Sequence, residues 1–132
     1  MKPYKKRNVS GRIVVVLGSK LKDRGLRLIE VASRALREKE IHELIITDEV
    51  DAKPGGKVDR VAYLGFMEVQ VGGVVYVGDK VVLNNRCVGV ILGFDETHMP
   101  NHMNIVIGAK EFKSGAELKI NVEDSIFMMS EA

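Results

Sequence analysis

The sequence has one cysteine, no tryptophan and only three prolines among its 132 residues. A single cysteine excludes a disulfide framework and a cysteine-based zinc site within one chain. Few prolines and no Ser- or Gln-rich tract argue against disorder. No apolar run approaches the roughly 20 residues that a membrane-spanning helix needs, and the basic start is not followed by a signal-peptide core. These absences predict a soluble cytoplasmic protein.

Charge is distributed unevenly along the chain. The first 40 residues carry a net charge of +8 and the remainder −6, which gives the overall +2. Such asymmetry occurs in proteins that bind nucleic acid, and the contacts would then be Arg24, Arg27, Arg34 and Arg37. Aromatic residues form only 5% of the chain, and none alternates with the N-terminal basic residues as a base-stacking surface requires. Nucleic-acid binding is therefore an alternative, beside a basic helix that packs on an acidic body.

Hydrophobic patterning predicts a strand and then a helix in the first third of the chain. Residues 11–17 are continuous, β-branched and bounded by glycines, as in a buried strand. From Asp23 to Glu40 apolar residues recur at helical spacing, which predicts an amphipathic helix. Its apolar stripe would comprise Leu28, Ile29, Ala32, Ala35 and Leu36.

Short strands separated by glycines are predicted for the rest of the chain, at about 60–70, 73–77, 80–84, 86–94, 103–109 and 117–122 and at Ser125–Met129. Asn84 and Asn85 favour the positive φ angles of a two-residue hairpin. The glycine punctuation is typical of small barrels and sandwiches. We therefore expect a mainly β (α+β) fold, a small closed β-barrel with one amphipathic helix packed against it. A single domain would span residues 1–132, with the strand and basic helix at 11–41 and the barrel portion at 43–129.

The loop between two of these strands concentrates polar chemistry. Residues 95–104 contain two of the three histidines, two carboxylates and two carboxamides. We interpret the loop as the rim of a binding site for a small polar ligand or a protein partner. Its ligand-binding residues would be Asp95, His98, His102 and Asn104.

The same loop suggests a metal-dependent enzyme as an alternative. Asp95, His98 and His102 could supply three ligands to a divalent metal and leave a position open for water. Glu96 would then be the catalytic general base. Pro100 between the histidines argues against an uninterrupted helix, so the loop would have to fold back for the imidazoles to converge. The alternative is a purely structural role, in which the loop is a hairpin connection with turn hydrogen bonds from Asp95 and Thr97.

Two other reactive side chains are given no functional role. Cys87 lies among apolar strand residues and is predicted to be a buried, inert thiol. His42 follows the predicted helix, where a cationic or hydrogen-bonding side chain is favourable without any catalytic meaning.

From Leu44 onward the sequence resembles the enzyme IIA component of the glucitol/sorbitol-specific phosphotransferase system. The matching segments are Leu44–Thr47, Val77–Val81, Cys87–Gly93, Asn101–His102, Ile105–Ile107 and Ser114–Gly115. They cover about two thirds of the chain as a pattern of residue types and turns. The resemblance implies a small closed β-barrel that dimerises by exchanging strands.

The chain departs from that family where its chemistry resides. The stretch corresponding to the phosphorylated histidine, residues 61–68, contains no histidine. His102 matches a later histidine of the family, but Asn101 replaces the glycine before it. The resemblance therefore implies the scaffold without phosphotransfer, in an uncharacterised bacterial protein family. Exposed strand edges, which small sheets must cover, also predict a homodimer.

Overall fold

A computed structural model describes residues 3–130 of the chain, and within this range the secondary structure consists of twelve β-strands. Their bounds are β1 Val9–Val16, β2 Lys20–Leu21, β3 Leu26–Arg27, β4 Ser33–Leu36, β5 Ile41–Thr47, β6 Lys57–Val58, β7 Val61–Val71, β8 Gly73–Tyr76, β9 Lys80–Leu83, β10 Arg86–Asp95, β11 Asn104–Gly108 and β12 Ser125–Met129. Among the described residues no helix is long and apolar enough to span a membrane.

Eight strands form the main sheet, in the order β1-β12-β9-β10-β11-β5-β7-β2. β1 also pairs with β7, so it has hydrogen-bonded neighbours on both sides. β11 and β5 are parallel, whereas the other pairings of this sheet are antiparallel. β3–β6 and β4–β8 form two separate two-stranded sheets.

The main sheet is covered by apolar residues on both faces in its β5–β11 region. Leu44, Ile105 and Phe94 face the large core, which also contains Ile13, Met67 and Ile126. The alternate positions Ile45 and Val106 face a second, smaller core with Leu26, Leu28, Val58 and Val61. Burial on both faces explains why β5 is a nearly continuous apolar run rather than an alternating one.

The predicted helix at residues 23–40 is wrong. The segment contains β3, β4 and turns, and Gly25 has a φ of 65°. The expected apolar stripe is divided: Leu28 lies in the smaller core, Leu36 in the main core, and Ala32 and Ala35 are exposed. Ser33–Leu36 pairs with Gly73–Tyr76, and this distant pairing overrides the local helical preference.

The predicted fold, a small closed β-barrel with one packed helix, is contradicted as well. Residues 3–130 contain no helix, and the strands form an eight-stranded sheet with two two-stranded sheets. A strand predicted at 117–122 is a series of turns. The hairpin at Asn84 and Asn85 is confirmed, because their φ angles of 51° and 64° connect β9 to β10.

Candidate functional site

A row of polar side chains crosses three neighbouring strands beside the smaller core, and the aromatic Phe66 continues it on a fourth strand. Asp95 of β10 pairs with Asn104 of β11, Asn104 with Glu43 of β5, and Glu43 with Phe66 of β7. Directly paired residues project from the same face of a sheet. Asp95, Asn104 and Glu43 are buried although they are polar. We call these three side chains the polar row.

Asp95 stabilises the start of the 95–104 loop through hydrogen bonds that its carboxylate accepts. Its Oδ1 accepts hydrogen bonds from the Thr97 N–H at 3.0 Å and from Asn104 Nδ2 at 3.0 Å. Its Oδ2 accepts from the Thr97 hydroxyl at 2.9 Å. Both oxygens are therefore engaged within the loop and the polar row, as in a polar turn.

Glu43 and Phe66 fix the position of the His102 ring. His102 Nε2 lies 3.1 Å from Glu43 Oε1, and both side chains are mostly buried. The other ring nitrogen, Nδ1, lies 2.6 Å from Oδ1 of Asn101. The Phe66 ring meets the imidazole edge-on, with centroids 5.0 Å apart. These contacts attach the end of the loop to β5 and β7.

His98 lies next to His102 at the surface. The two ring centroids are 5.1 Å apart and the planes are tilted by 31°, so the loop folds back as the two histidines require. His98 is exposed, and among residues 3–130 its ring nitrogens have no hydrogen-bond partner. The structure thus brings together His98 and His102, while Asp95 is directed to Thr97 and Asn104.

The three side chains predicted as metal ligands do not form a ligand group in this geometry. In the part of the chain that the structure describes, no three His, Cys, Asp or Glu side chains are placed to hold a metal ion. Glu96, the predicted general base of that alternative, instead forms an ion pair with Arg34, with 2.6 Å between Oε2 and Nη1.

His42 belongs to the same region, which the sequence did not indicate. It lies in β5 rather than after a helix, and its Nδ1 accepts the Met103 N–H at 3.2 Å. Nε2 therefore carries the proton, and it lies 3.1 Å from Glu40 Oε1. The only sequence signal for His42 and Glu43 is that they precede an apolar strand, as residues 102–104 do.

The contact between His42 and Glu40 is one of the interactions that lower the pKa of Glu40. Burial raises it, but the hydrogen bond from the Arg37 N–H and the interaction with His42 outweigh burial, so the Glu40 pKa lies below its usual 4.5. Hydrogen bonding by Arg60 similarly lowers the pKa of Asp48, and the Ser114 N–H lowers that of Glu117.

These lowered pKa values predict acid destabilisation. A carboxylate with a lower pKa in the folded state stabilises the fold above its unfolded pKa, and that contribution is lost as the pH falls through the folded value. We expect the free energy of unfolding, measured by urea denaturation, to fall as the pH drops below 4.5. Glu40→Gln should reduce this slope, and an unchanged slope would contradict the role of Glu40.

A cavity of about 540 Å³ adjoins the Asp95 end of the loop. Asp95, Glu96 and Thr97 form one wall, and residues 27–30 with Gly55 form the other. The Ile29 N–H donates to the Phe94 carbonyl at 2.8 Å, which holds the second wall on β10. Asp95 lines this cavity, whereas Asn104 and Glu43 are not among its lining residues.

The four arginines proposed for nucleic-acid binding do not lie on one helical face, because the helix is absent. Arg24 donates to the Tyr63 hydroxyl, Arg27 to the Gly55 carbonyl, and Arg34 pairs with Glu96. Arg37 contacts Glu40 through its backbone N–H. The helical interface that motivated this alternative is therefore missing.

Fold and site together define a small all-β protein with a buried polar row beneath a histidine-containing loop. The chain belongs to a family of unknown function, DUF6917, whose model matches residues 3–129. No curated protein and no solved structure matches the chain. The resemblance to the phosphotransferase component stays a prediction.

Proposed function

We propose that this protein is a non-catalytic binding module that takes a small polar ligand carrying an amine group at the polar row beneath the 95–104 loop. The observation that carries the proposal is the side-chain oxygen of Asn104. Asn104 is 1% exposed, its Nδ2 donates to Asp95, and its Oδ1 has no hydrogen-bond partner.

An unpartnered oxygen at this depth requires a physical explanation. Leaving a buried acceptor unsatisfied costs about 1–3 kcal/mol, and nearly all such groups in folded proteins have a partner. A ligand that donates a hydrogen bond to Asn104 Oδ1 would remove this cost. The unpartnered acceptor therefore supports binding of a hydrogen-bond donor.

The neighbouring charges favour a donor that is positively charged. Asp95 and Glu43 flank Asn104, and within residues 3–130 the Oε2 atom of Glu43 has no hydrogen-bond partner. Arg34 forms an ion pair with Glu96 of the loop, so the charge of this cation is already neutralised. The unused groups of the row are thus acceptors, which suits an ammonium group.

Access to Asn104 requires the loop to move. His102 covers Glu43, and the Arg34–Glu96 ion pair holds the other end of the loop. Residues 97–101 are exposed. We expect an amine to enter as this segment lifts and to displace the Glu43–His102 contact.

Titration by NMR tests this function. We expect putrescine to produce saturable shifts of the Asn104 side-chain amide and the His102 ring, and succinate at equal ionic strength to produce none. Asn104→Leu should abolish the putrescine shifts, and Glu43→Gln should weaken binding by about tenfold through loss of one charge-assisted hydrogen bond.

Asn8→Leu is the matched control, because Asn8 is exposed and lies outside the site. It should leave putrescine binding unchanged. The amide spectrum of each variant reports whether the fold is retained. Equal binding of succinate and putrescine, or putrescine shifts that persist in both Asn104→Leu and Glu43→Gln, would overturn the proposal.

The predicted homodimer stays part of the proposal for the intact protein. Light scattering at micromolar concentration checks it, and a monomeric mass would contradict it. Ligand binding at the polar row does not depend on this outcome, because the row lies within one chain.

A further inference from the structure

A groove opens where β10 and β11 separate. β11 pairs with β10 from Val90 to Asp95, whereas Arg86, Cys87 and Gly89 at the start of β10 pair with β9. Beyond Gly108 the chain remains beside β5, because the Ala109 N–H donates to the Thr47 carbonyl at 2.9 Å. The divergence leaves a cavity of about 450 Å³ between residues 86–90 and 108–111.

The walls of this groove are largely apolar. Its apolar side chains are Ile46, Val50, Val88, Val90, Ala109 and Leu118. A second cavity of about 230 Å³ shares Arg86, Val88 and Leu118 with the first, so the groove continues towards Ile120. Small-molecule sites commonly have volumes of about 300–1,000 Å³ and apolar walls with a few polar groups.

Cations without acidic partners lie along the groove. Arg86 lines both cavities, Lys110 lines the larger and Lys119 the smaller. Among the described residues none of the three forms an ion pair. Glu111, the one carboxylate of the lining, lies 3.1 Å from Lys113 and is neutralised there.

We propose that this groove is a second binding site, which takes a small amphipathic anion consisting of a hydrocarbon chain with a carboxylate group. Apolar walls gain free energy by removing the chain from water. Arg86 and Lys110 supply positive charge for the carboxylate without an internal competitor. The groove lies at a different part of β10 from Asp95, so this site is independent of the amine site.

Cys87 provides a direct reporter of occupancy. It is the only cysteine in the sequence, and it lines the larger cavity. Cys87 is exposed, so the prediction of a buried thiol is wrong. We expect octanoate to slow alkylation of Cys87 by a maleimide with saturable concentration dependence, and to shift the amide resonances of Val88, Gly89 and Ala109. Octylammonium, which has the same chain length and opposite charge, should do neither.

Charge reversal tests the role of the cations. Arg86→Glu and Lys110→Glu should each weaken octanoate binding by about tenfold or more. Lys22→Glu changes the net charge equally at an exposed lysine outside the groove, and it should have no effect. Because Arg86→Glu changes the surroundings of Cys87, the NMR titration measures affinity in that variant.

Other occupants of the groove predict different results. Equal binding of octanoate and octylammonium, or binding that survives both charge reversals, would overturn the proposal. Binding of phosphatidylglycerol vesicles without binding of monomeric octanoate would indicate a membrane surface, and Cys87 protection that rises with protein concentration alone would indicate a second copy. Either result would also overturn it.

Discussion

Replacement of Gly115 by alanine is expected to lower the free energy of unfolding by about 3 kcal/mol or more, at the upper end of overpacking substitutions. Gly115 lies where the chain after β11 crosses between the end of β1 and Tyr63–Leu64, near the start of β7. Its N–H donates to the Tyr63 carbonyl at 3.0 Å, and the next residue, Ala116, donates to the Leu17 carbonyl at 2.9 Å.

A side chain has no space at this crossing. A Cβ atom on Gly115 would overlap the carbonyl oxygen of Leu64, and it would also lie 3.1 Å from the carbonyl oxygen of Leu17. Both obstacles are backbone atoms, which cannot rotate away as a flexible side chain does. Relief would require breaking the Leu17–Leu64 hydrogen bond, in which the Leu17 N–H donates at 3.2 Å.

Gly18 supplies a matched control for this substitution. A Cβ on Gly18 would lie 3.4 Å from the Ala116 Cβ, which is near ordinary van der Waals contact, and Gly18 has no positive φ. Gly18→Ala should therefore change the free energy of unfolding by less than about 1 kcal/mol. Urea denaturation of both variants measures the difference. Similar stabilities for the two would contradict the proposed overlap.

Local sequence signals predicted the structure well where partners are neighbours in the chain. The hairpin at Asn84 and Asn85 depends on the φ preferences of two adjacent residues, and both preferences are realised. Strand β12 coincides with the predicted segment Ser125–Met129. These features require no knowledge of distant contacts, so one sequence suffices.

The error at residues 23–40 has the opposite origin. Leu28 and Leu36 fit a helical stripe, but Leu26 and Leu28 also fit the two-residue period of an extended segment, with Arg27 exposed between them. The decision between the two depends on β6 and β8, which lie about 30–40 residues further along the chain. Helical periodicity is a local signal, so it cannot indicate that pairing with β6 and β8 is favoured over a helix.

At the candidate site, too, local features could be predicted from the sequence and contacts between distant residues could not. The 95–104 loop was identifiable from its density of polar residues, and the histidines lie close together. Glu43, however, is 59 residues from His102 in sequence, and only the parallel pairing of β5 with β11 brings them together. Phe66 joins through β7 in the same way. Its role could not be inferred without the sheet order.

The second large effect is expected at Asp79, in the turn between β8 and β9. Asp79 is 2% exposed, and its Oδ2 lies 2.8 Å from Lys6 Nζ. The same oxygen accepts the Tyr76 N–H at 2.9 Å. Removing one member of a buried ion pair leaves the other charge uncompensated and typically costs about 3–5 kcal/mol. We expect Asp79→Ala to lower the free energy of unfolding by about 3 kcal/mol.

Two further variants separate charge from hydrogen bonding at this position. Asp79→Asn retains an acceptor for the Tyr76 N–H and removes the charge, so it should be less harmful than Asp79→Ala. Lys6→Met combined with Asp79→Asn removes both charges, and it should recover stability relative to Lys6→Met alone, which leaves the buried carboxylate without a cation. A double-mutant cycle from urea denaturation gives the coupling energy.

An exposed ion pair provides the control for burial. Lys113 and Glu111 lie 3.1 Å apart, but both side chains are about half exposed, so Glu111→Ala should cost at most about 1 kcal/mol. The contrast follows from solvation, because water replaces the lost partner at Glu111 and cannot do so at Asp79. Equal losses for Asp79→Ala and Glu111→Ala would contradict it. A selective loss at Asp79 would show that the ion pair fixes the segment before β1 against the β8–β9 turn.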